Sequence, residues 1–427
     1  MATDVVPPPD SSAYRRLEWS IRLSTMQYGI SDLLYANSFM LLYLAMLGIP
    51  SERILVWLAL PSVIRILTLV PFAQWTERIG KIRLGTIGIS LGSLSLVLLI
   101  AAGTTPGWAV EPLTALAMIC VGLGSGLYTN AWFPLISDIV PDGQRGRFFG
   151  MLRFLYQTAS IVFALIASWS LERHSAVLVF QVFLGAALVL RVGGTVQFAR
   201  IPEVRRLGEG AASLRDSLLA ALRHAGYLPF CAYVFLLSLF TGSCTALFSL
   251  LAKDTLLLPQ SQVLVIGNCA TFGSLVGFLV SSRLIDRIGT KAIFVFCHFA
   301  YALVLLAFLG RELPPLHVGV VIGALSALFG LVQAASSVAM TTEMLSAIPL
   351  DNKPMAAALN QSLGGLGIAL SGISSSTLLK IGVFSPAWSL FGLHLGPYDA
   401  LLMLSGAMVM LLVVTLGLVP SVMRIRP

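Results

Sequence analysis

Two ionisable residues stand inside apolar stretches where water is scarce: Asp32 in the first such stretch and Arg65 in the second. A charged side chain at mid-bilayer costs about 2.5–3.5 kcal/mol unless it is paired or faces a wet cavity, which makes each a candidate for binding or coupling. Asp32 lies about 14 Å into its stretch at about 1.5 Å per residue, and Arg65 lies midway along a stretch running the opposite way. The two depths match within about a helical turn, so an Asp32–Arg65 ion pair near the midplane is expected. Two chemistries follow. Asp32 takes up a proton when a solute or a conformational change draws Arg65 away, or Arg65, which stays charged, grips a carboxylate or phosphate in its planar fork. The alternative is a static pair that only fixes packing.

Other polar groups gather at helical spacing. Tyr28, Asp32, Tyr35 and Phe39 share one face of the first stretch and read as a cavity wall. Ser125, Tyr128 and Trp132 repeat the pattern in the fourth stretch, with Asn130 off that line, and Gln333, Ser337 and Thr341 repeat it in the tenth. The fifth stretch carries Arg153, Tyr156 and Gln157, and the eleventh carries Asn360 and Gln361. Arg153 reads as a snorkelling residue and Glu343 as part of a gate. Aromatic residues in spans pack at least as often as they bind, so Tyr128 and Trp132 stay open between the two roles. The five histidines are scattered and the five cysteines lie in apolar runs at no metal-ligand spacing, so neither a metal nor a cofactor is expected.

The elements that must hold these groups are membrane helices. Of 427 residues, 57% are hydrophobic and 11% charged, too few charges for an ordinary water-facing surface. Twelve apolar runs of spanning length are read at 23–47, 54–75, 84–102, 113–136, 148–171, 176–199, 230–251, 263–282, 292–309, 318–348, 356–379 and 398–419. Arginine and lysine favour cytoplasmic loops, and twenty of the 27 fall in one alternating set of segments. Only Arg53, Arg173, Lys253, Arg311 and Lys380 fall in the other set, while Arg65 and Arg191 lie within spans. Both termini are therefore expected in the cytoplasm. Net charge of +8 does not indicate nucleic acid, because the basic residues sit in short segments between apolar runs.

The chain also repeats itself. Glu77-Arg78-Ile79-Gly80-Lys81 follows the second run, and Asp286-Arg287-Ile288-Gly289-Thr290-Lys291 follows the eighth, 209 residues on. Pro141 and Arg145 correspond to Pro349 and Lys353 at an offset of 208. Two pairs of loops at nearly one offset indicate duplicated six-helix halves. The expected organisation is a cytoplasmic tail (1–22), a six-helix bundle (23–200), a cytoplasmic linker with a short amphipathic helix (201–229), a second bundle (230–419) and a cytoplasmic tail (420–427).

At these loops the sequence resembles the major facilitator superfamily, whose signature loop runs acid, Arg, any residue, Gly and a basic pair. Glu77, Arg78, Gly80 and Lys81 match it, although Ile82 interrupts the basic pair and Ala73 replaces the leading Gly. Asp286, Arg287, Gly289 and Lys291 match in the second half, and Asp138 to Arg147 looks like the family's loop between the fourth and fifth helices. The resemblance implies an all-α membrane fold of 12 transmembrane helices in two pseudo-symmetric bundles. It implies a cavity bounded by the first, fourth, seventh and tenth helices, the seventh contributing Ser238, Thr241 and Thr245. It further implies a cytoplasmic gate drawn from Glu77, Arg78, Gly80, Asp138, Arg145, Asp286, Arg287, Gly289 and Glu343. The helix bearing His298 is one the family turns toward lipid, and a structural role is expected for that residue. Met118 stands where proton-coupled relatives often carry Arg, and Gln157 to Ser170 lacks the Gly-Pro motif of drug antiporters, so multidrug antiport is disfavoured.

The expectation is thus a monomeric secondary transporter of the plasma (inner) membrane, surrounded by lipid and moving a small organic solute, anionic or zwitterionic by preference. It would couple to protons or to exchange. An exporter or flippase of amphiphiles is the nearest alternative, and a transport-inactive receptor or scaffold on the same fold is the alternative of another class. An enzyme is not expected, because no nucleotide-cradling loop and no cluster of catalytic side chains is present. Substrate or coupling-ion contacts are assigned to Asp32, Arg65, Tyr28, Tyr35, Tyr128, Asn130, Trp132, Gln157, Gln333, Asn360 and Gln361.

Overall fold

The computed structural model describes residues 11–36, 38–140, 145–173, 176–202, 227–313, 316–347, 353–383, 388–390 and 393–417. The expected linker helix, the segment from Pro141 to Gln144, and Pro349 lie outside the described residues. The described chain divides into two compact units. Unit 1 is Met1–Pro50 with Leu60–Glu209, and unit 2 is Ser51–Ala59 with Gly210–Pro427.

Unit 1 holds α1 (Ser12–Ala36), α2 (Ser38–Met46), most of α3 (Ser51–Ile79), α4 (Lys81–Ala102), α5 (Gly107–Ile139), α6 (Arg145–Arg173) and α7 (Val177–Ala199). Unit 2 holds α8 (Tyr227–Thr241), α9 (Cys244–Leu250), α10 (Gln260–Ile288), α11 (Thr290–Ala307), α12 (Val318–Ala347), α13 (Lys353–Ile381) and α14 (Pro397–Leu412). Ten described helical stretches, from Lys81–Ala102 to Pro397–Thr415, are long and apolar enough to span a membrane, and each overlaps one of the last ten runs read from sequence. The first two runs coincide with α1–α2 and α3, which are not among the ten.

One element departs from an all-helical reading. Trp388–Leu390 and Leu393–Leu395 pair antiparallel as β1 and β2, a three-residue hairpin between α13 and α14. Its alternation is too short to separate from loop in a sequence of this composition.

The two halves share local devices at the repeat offset. Gly80 (φ 97°) and Gly289 (φ 83°) both cap the helix that follows with left-handed backbone, which a side chain would strain. Gly122 in α5 lies against Pro61 O and Ile64, and Gly330 in α12, 208 residues on, lies against Ala270 O. At both, a Cβ would collide with the neighbouring helix, so the missing side chain sets the closeness of the crossing. Gly88 and Gly124 press α4 and α5 together reciprocally, each standing against the other's carbonyl. With α4 so placed, α7 packs on both α1 and α4, and α1 also packs on α6.

Candidate functional site

In unit 1 the face of α1 that carries Tyr28 and Asp32 meets α4, α5 and α7. Tyr28 stacks on Tyr128 of α5, ring centroids 4.1 Å apart and 25° between planes. Its hydroxyl donates to Asp32 Oδ1 at 3.4 Å, long for an O–H···O bond. Asp32 is half-buried, and that bond is its only one among the described residues. The Tyr128 hydroxyl is buried and has no hydrogen-bond partner among them. Trp132, one turn along α5, donates its indole N–H to Thr25 Oγ1 at 3.1 Å. Tyr35 turns to Ser95 of α4, the two hydroxyl oxygens 2.8 Å apart, and Phe39 packs against Phe180 and Phe183 of α7. The lower half of the α1 stripe is therefore packing, while Tyr28, Asp32 and Tyr128 hold the open valences.

The expected Asp32–Arg65 ion pair is not formed: no contact within 4 Å joins the two among the described residues. Matched depth along two helices does not fix the rotation of either about its axis. Arg65 is half-buried, and both it and Asp32 lie within electrostatic reach of the Tyr28 hydroxyl.

The cation that sequence left without a role is Arg191 of α7. Its side chain is fully buried, 0% exposed. Nη1 donates to Ser31 Oγ at 2.8 Å, Nε donates to Ile89 O at 3.2 Å, and the guanidinium carbon sits 4.5 Å from the centre of the Tyr28 ring. Nη2 has no partner and lies over Gly92, where any Cβ would strike the guanidinium. Arg191, Tyr28 and Tyr128 thus form one column, with Asp32 bonded to its middle member. No carboxylate lies within ion-pair distance of Arg191 among the described residues. The signal was available in sequence, since Arg191 was one of two cations inside spans, but its surroundings in α7 are almost wholly apolar.

The remaining expected residues are dispersed. Gln157 is buried in unit 1 with Oε1 unpartnered, and Asn130 is half-buried. Gln333 and Gln361 are exposed in unit 2, and Asn360 is half-buried there with Oδ1 unpartnered. Gate residues Glu77, Arg78, Asp138, Arg145, Asp286 and Glu343 fall on described helices, but their side chains lie outside the described residues. Arg287 is exposed.

Unit 2 closes its polar groups differently. His298 of α11 is fully buried, with Nδ1 3.0 Å from Tyr233 Oη and Nε2 2.8 Å from Ser336 Oγ. Arg311, assigned from sequence to an outer loop, is 3% exposed and forms a buried ion pair with Asp399, whose other oxygen accepts Arg311 Nη2 at 3.3 Å. Asp399 Oδ2 also accepts the Gly396 N–H at 2.9 Å, capping α14. Asp254 accepts from Ser51 Oγ at 2.7 Å, Tyr398 Oη at 2.6 Å and Lys253 Nζ at 2.5 Å. Among the described residues no cluster of three metal-binding side chains occurs.

The model of the Major Facilitator Superfamily matches residues 24–372. No curated protein matches the chain. Among solved structures, the nucleoside transporter NupG is similar with a TM-score of 0.69 at 14% identity, covering 96% of this chain and 100% of that one. A D-xylose-proton symporter is similar with a TM-score of 0.70 at 15% identity, covering 93% and 97%. A bacterial homologue of the iron transporter ferroportin in its inward-facing state gives a TM-score of 0.66 at 13% identity, covering 93% and 98%. At these identities the likeness establishes the fold.

Proposed function

Because the chain belongs to the Major Facilitator Superfamily, and is a multi-pass membrane transporter rather than an enzyme, we propose that it is a secondary active transporter of a small organic solute, working by alternating access. The observation that carries this reading is Asp32, a half-buried carboxylate within the first span whose only described bond is a long one from Tyr28. A charge kept in apolar surroundings without an ion-pair partner is costly, and a group retained at that cost suits binding or coupling better than packing. Tyr128, buried beside it and without a well-formed hydrogen bond of its own, supplies a second polar contact.

In this reading Tyr28, Asp32 and Tyr128 meet the solute or a coupling proton, and Arg65 lies close enough to share their field. Coupling is to protons or to a second solute. The protein acts as a monomer in the plasma (inner) membrane with both termini in the cytoplasm. In this reading the loops bearing Gly80 and Gly289, both glycines in left-handed backbone, form part of a cytoplasmic gate.

The test is a thermal-shift screen of metabolites on purified protein, repeated with Asp32→Asn and Arg65→Ala. Hits that stabilise the wild type and lose their effect in the variants support the site, and hits that bind both variants as well as wild type remove it. Proton movement on solute addition to proteoliposomes decides between proton coupling and exchange.

A further inference from the structure

The transport reading leaves open what charge the solute bears, and the buried charges of unit 1 supply an answer. Beyond the Glu18–Arg22 ion pair of α1, which cancels within itself, three charged side chains are described away from the helix ends of this unit: Asp32, Arg65 and Arg191. Two are positive and one negative, and none is within ion-pair distance of another. Resting on the transport reading, we propose that the site in unit 1 takes an organic anion, a carboxylate or phosphate ester, with Arg191 as its fixed positive pole.

Arg191 is held too firmly to be the contact itself. Ser31 Oγ and Ile89 O take two arms of the guanidinium, the Tyr28 ring covers its face, and Gly92 removes the side chain that would occupy the space of Nη2. All these partners are neutral, so its charge is solvated by dipoles but not cancelled. The same charge lies within reach of the Tyr28, Tyr35 and Tyr128 hydroxyls, as does that of Asp32. Asp32 offsets one of the two cations, leaving one positive charge in surroundings that penalise it.

A bound anion supplies what is missing. A cation would add a third positive charge against one negative, and a zwitterion would leave the excess as it was. Arg65, half-buried with no described hydrogen bond, is the less confined of the two cations, and its fork fits a carboxylate or phosphate. The Tyr128 hydroxyl, with Thr25 nearby but no well-formed hydrogen bond, fits an acceptor-rich group equally well. Arg191 is then a positioning residue. It acts through Tyr28 and through its field, not through contact.

The experiment uses full-length protein in lipid nanodiscs and a metabolite panel in which each carboxylate is matched by its primary amide and by an amine of similar shape. Carboxylates or phosphate esters are expected to raise the melting temperature, with the matched amides and amines inert. Arg191→Lys keeps the charge and is expected to retain most of the effect, whereas Arg191→Gln weakens apparent anion affinity by about tenfold or more. Should Arg191→Gln fail to fold, Arg65→Gln tests the same charge count at a half-buried position and is expected to show the same loss. Stabilisation by amides or amines equal to that by the carboxylates overturns the proposal. So does a panel with no anionic hit, or unchanged anion affinity in Arg65→Gln. An anion that binds but never crosses a liposome overturns the transport reading alone, while uptake of a neutral or cationic solute keeps transport and removes the anion.

Discussion

The two units treat the charges buried inside their apolar bundles differently. In unit 2, Arg311 is matched by Asp399 and both ring nitrogens of His298 have hydroxyl partners. In unit 1, Arg191 has only neutral partners, Asp32 has one long hydrogen bond and Tyr128 has none. The contrast holds at positions that correspond through the repeat. His298 lies 209 residues after Ile89, whose carbonyl accepts Arg191, and Ser336 lies 208 residues after Tyr128. One copy of the scaffold pairs its buried cation with a carboxylate, while the other leaves its buried cation among neutral partners. Closed networks hold helices together, and open ones can exchange partners with a solute.

The largest expected effect comes from opening a closed network. Asp399→Ala leaves Arg311 buried and unpaired and removes the cap on α14, a destabilisation of about 3–5 kcal/mol. Thermal unfolding in detergent measures it, and the double variant Arg311→Met/Asp399→Leu is expected to recover most of the loss. A double variant no more stable than Asp399→Ala would show that pairing is not what the two residues provide.

Gly92→Ala comes next, because its Cβ would displace the Arg191 guanidinium. An overpacked site of this kind costs about 1–3 kcal/mol, and solute binding should fall with it. Gly107→Ala has nothing within 4 Å of the added carbon and serves as the control, with an expected change within about 0.5 kcal/mol. Equal effects at the two glycines would break the claim that Arg191 fills that space.

Of similar order is His298→Phe, which leaves the Tyr233 and Ser336 hydroxyls buried without partners at about 1–3 kcal/mol each. Solute binding per folded molecule should be unchanged, because this network is structural. Loss of binding at full folding would erase the distinction between the units. Trp132→Phe, which removes one hydrogen bond to Thr25, is the smallest at about 1 kcal/mol, read by the same unfolding assay.

Much of the scaffold was legible before the fold was known. Ten of the apolar runs reappear as helices of spanning length, and the two signature glycines adopt the left-handed backbone their loops require. Both are local properties, set by hydropathy over about twenty residues or by one residue's conformational freedom. What was hidden depends on rotation about helix axes. Depth alone suggested that Asp32 would meet Arg65, whereas the side chain brought against α1 is Arg191, a residue 160 positions from Ser31. Arg311 looked like a loop charge until Asp399 was placed beside it. The β1–β2 hairpin is too short to leave a periodic trace.

The central claim, that the unpaired charges of unit 1 are the working site, is tested most directly by solute counterflow in proteoliposomes, comparing Asp32→Asn with His298→Phe at matched amounts of folded protein. Asp32→Asn is expected to lose about tenfold or more of the flux, while His298→Phe keeps it. Full flux in Asp32→Asn, or equal losses in the two variants, would contradict it.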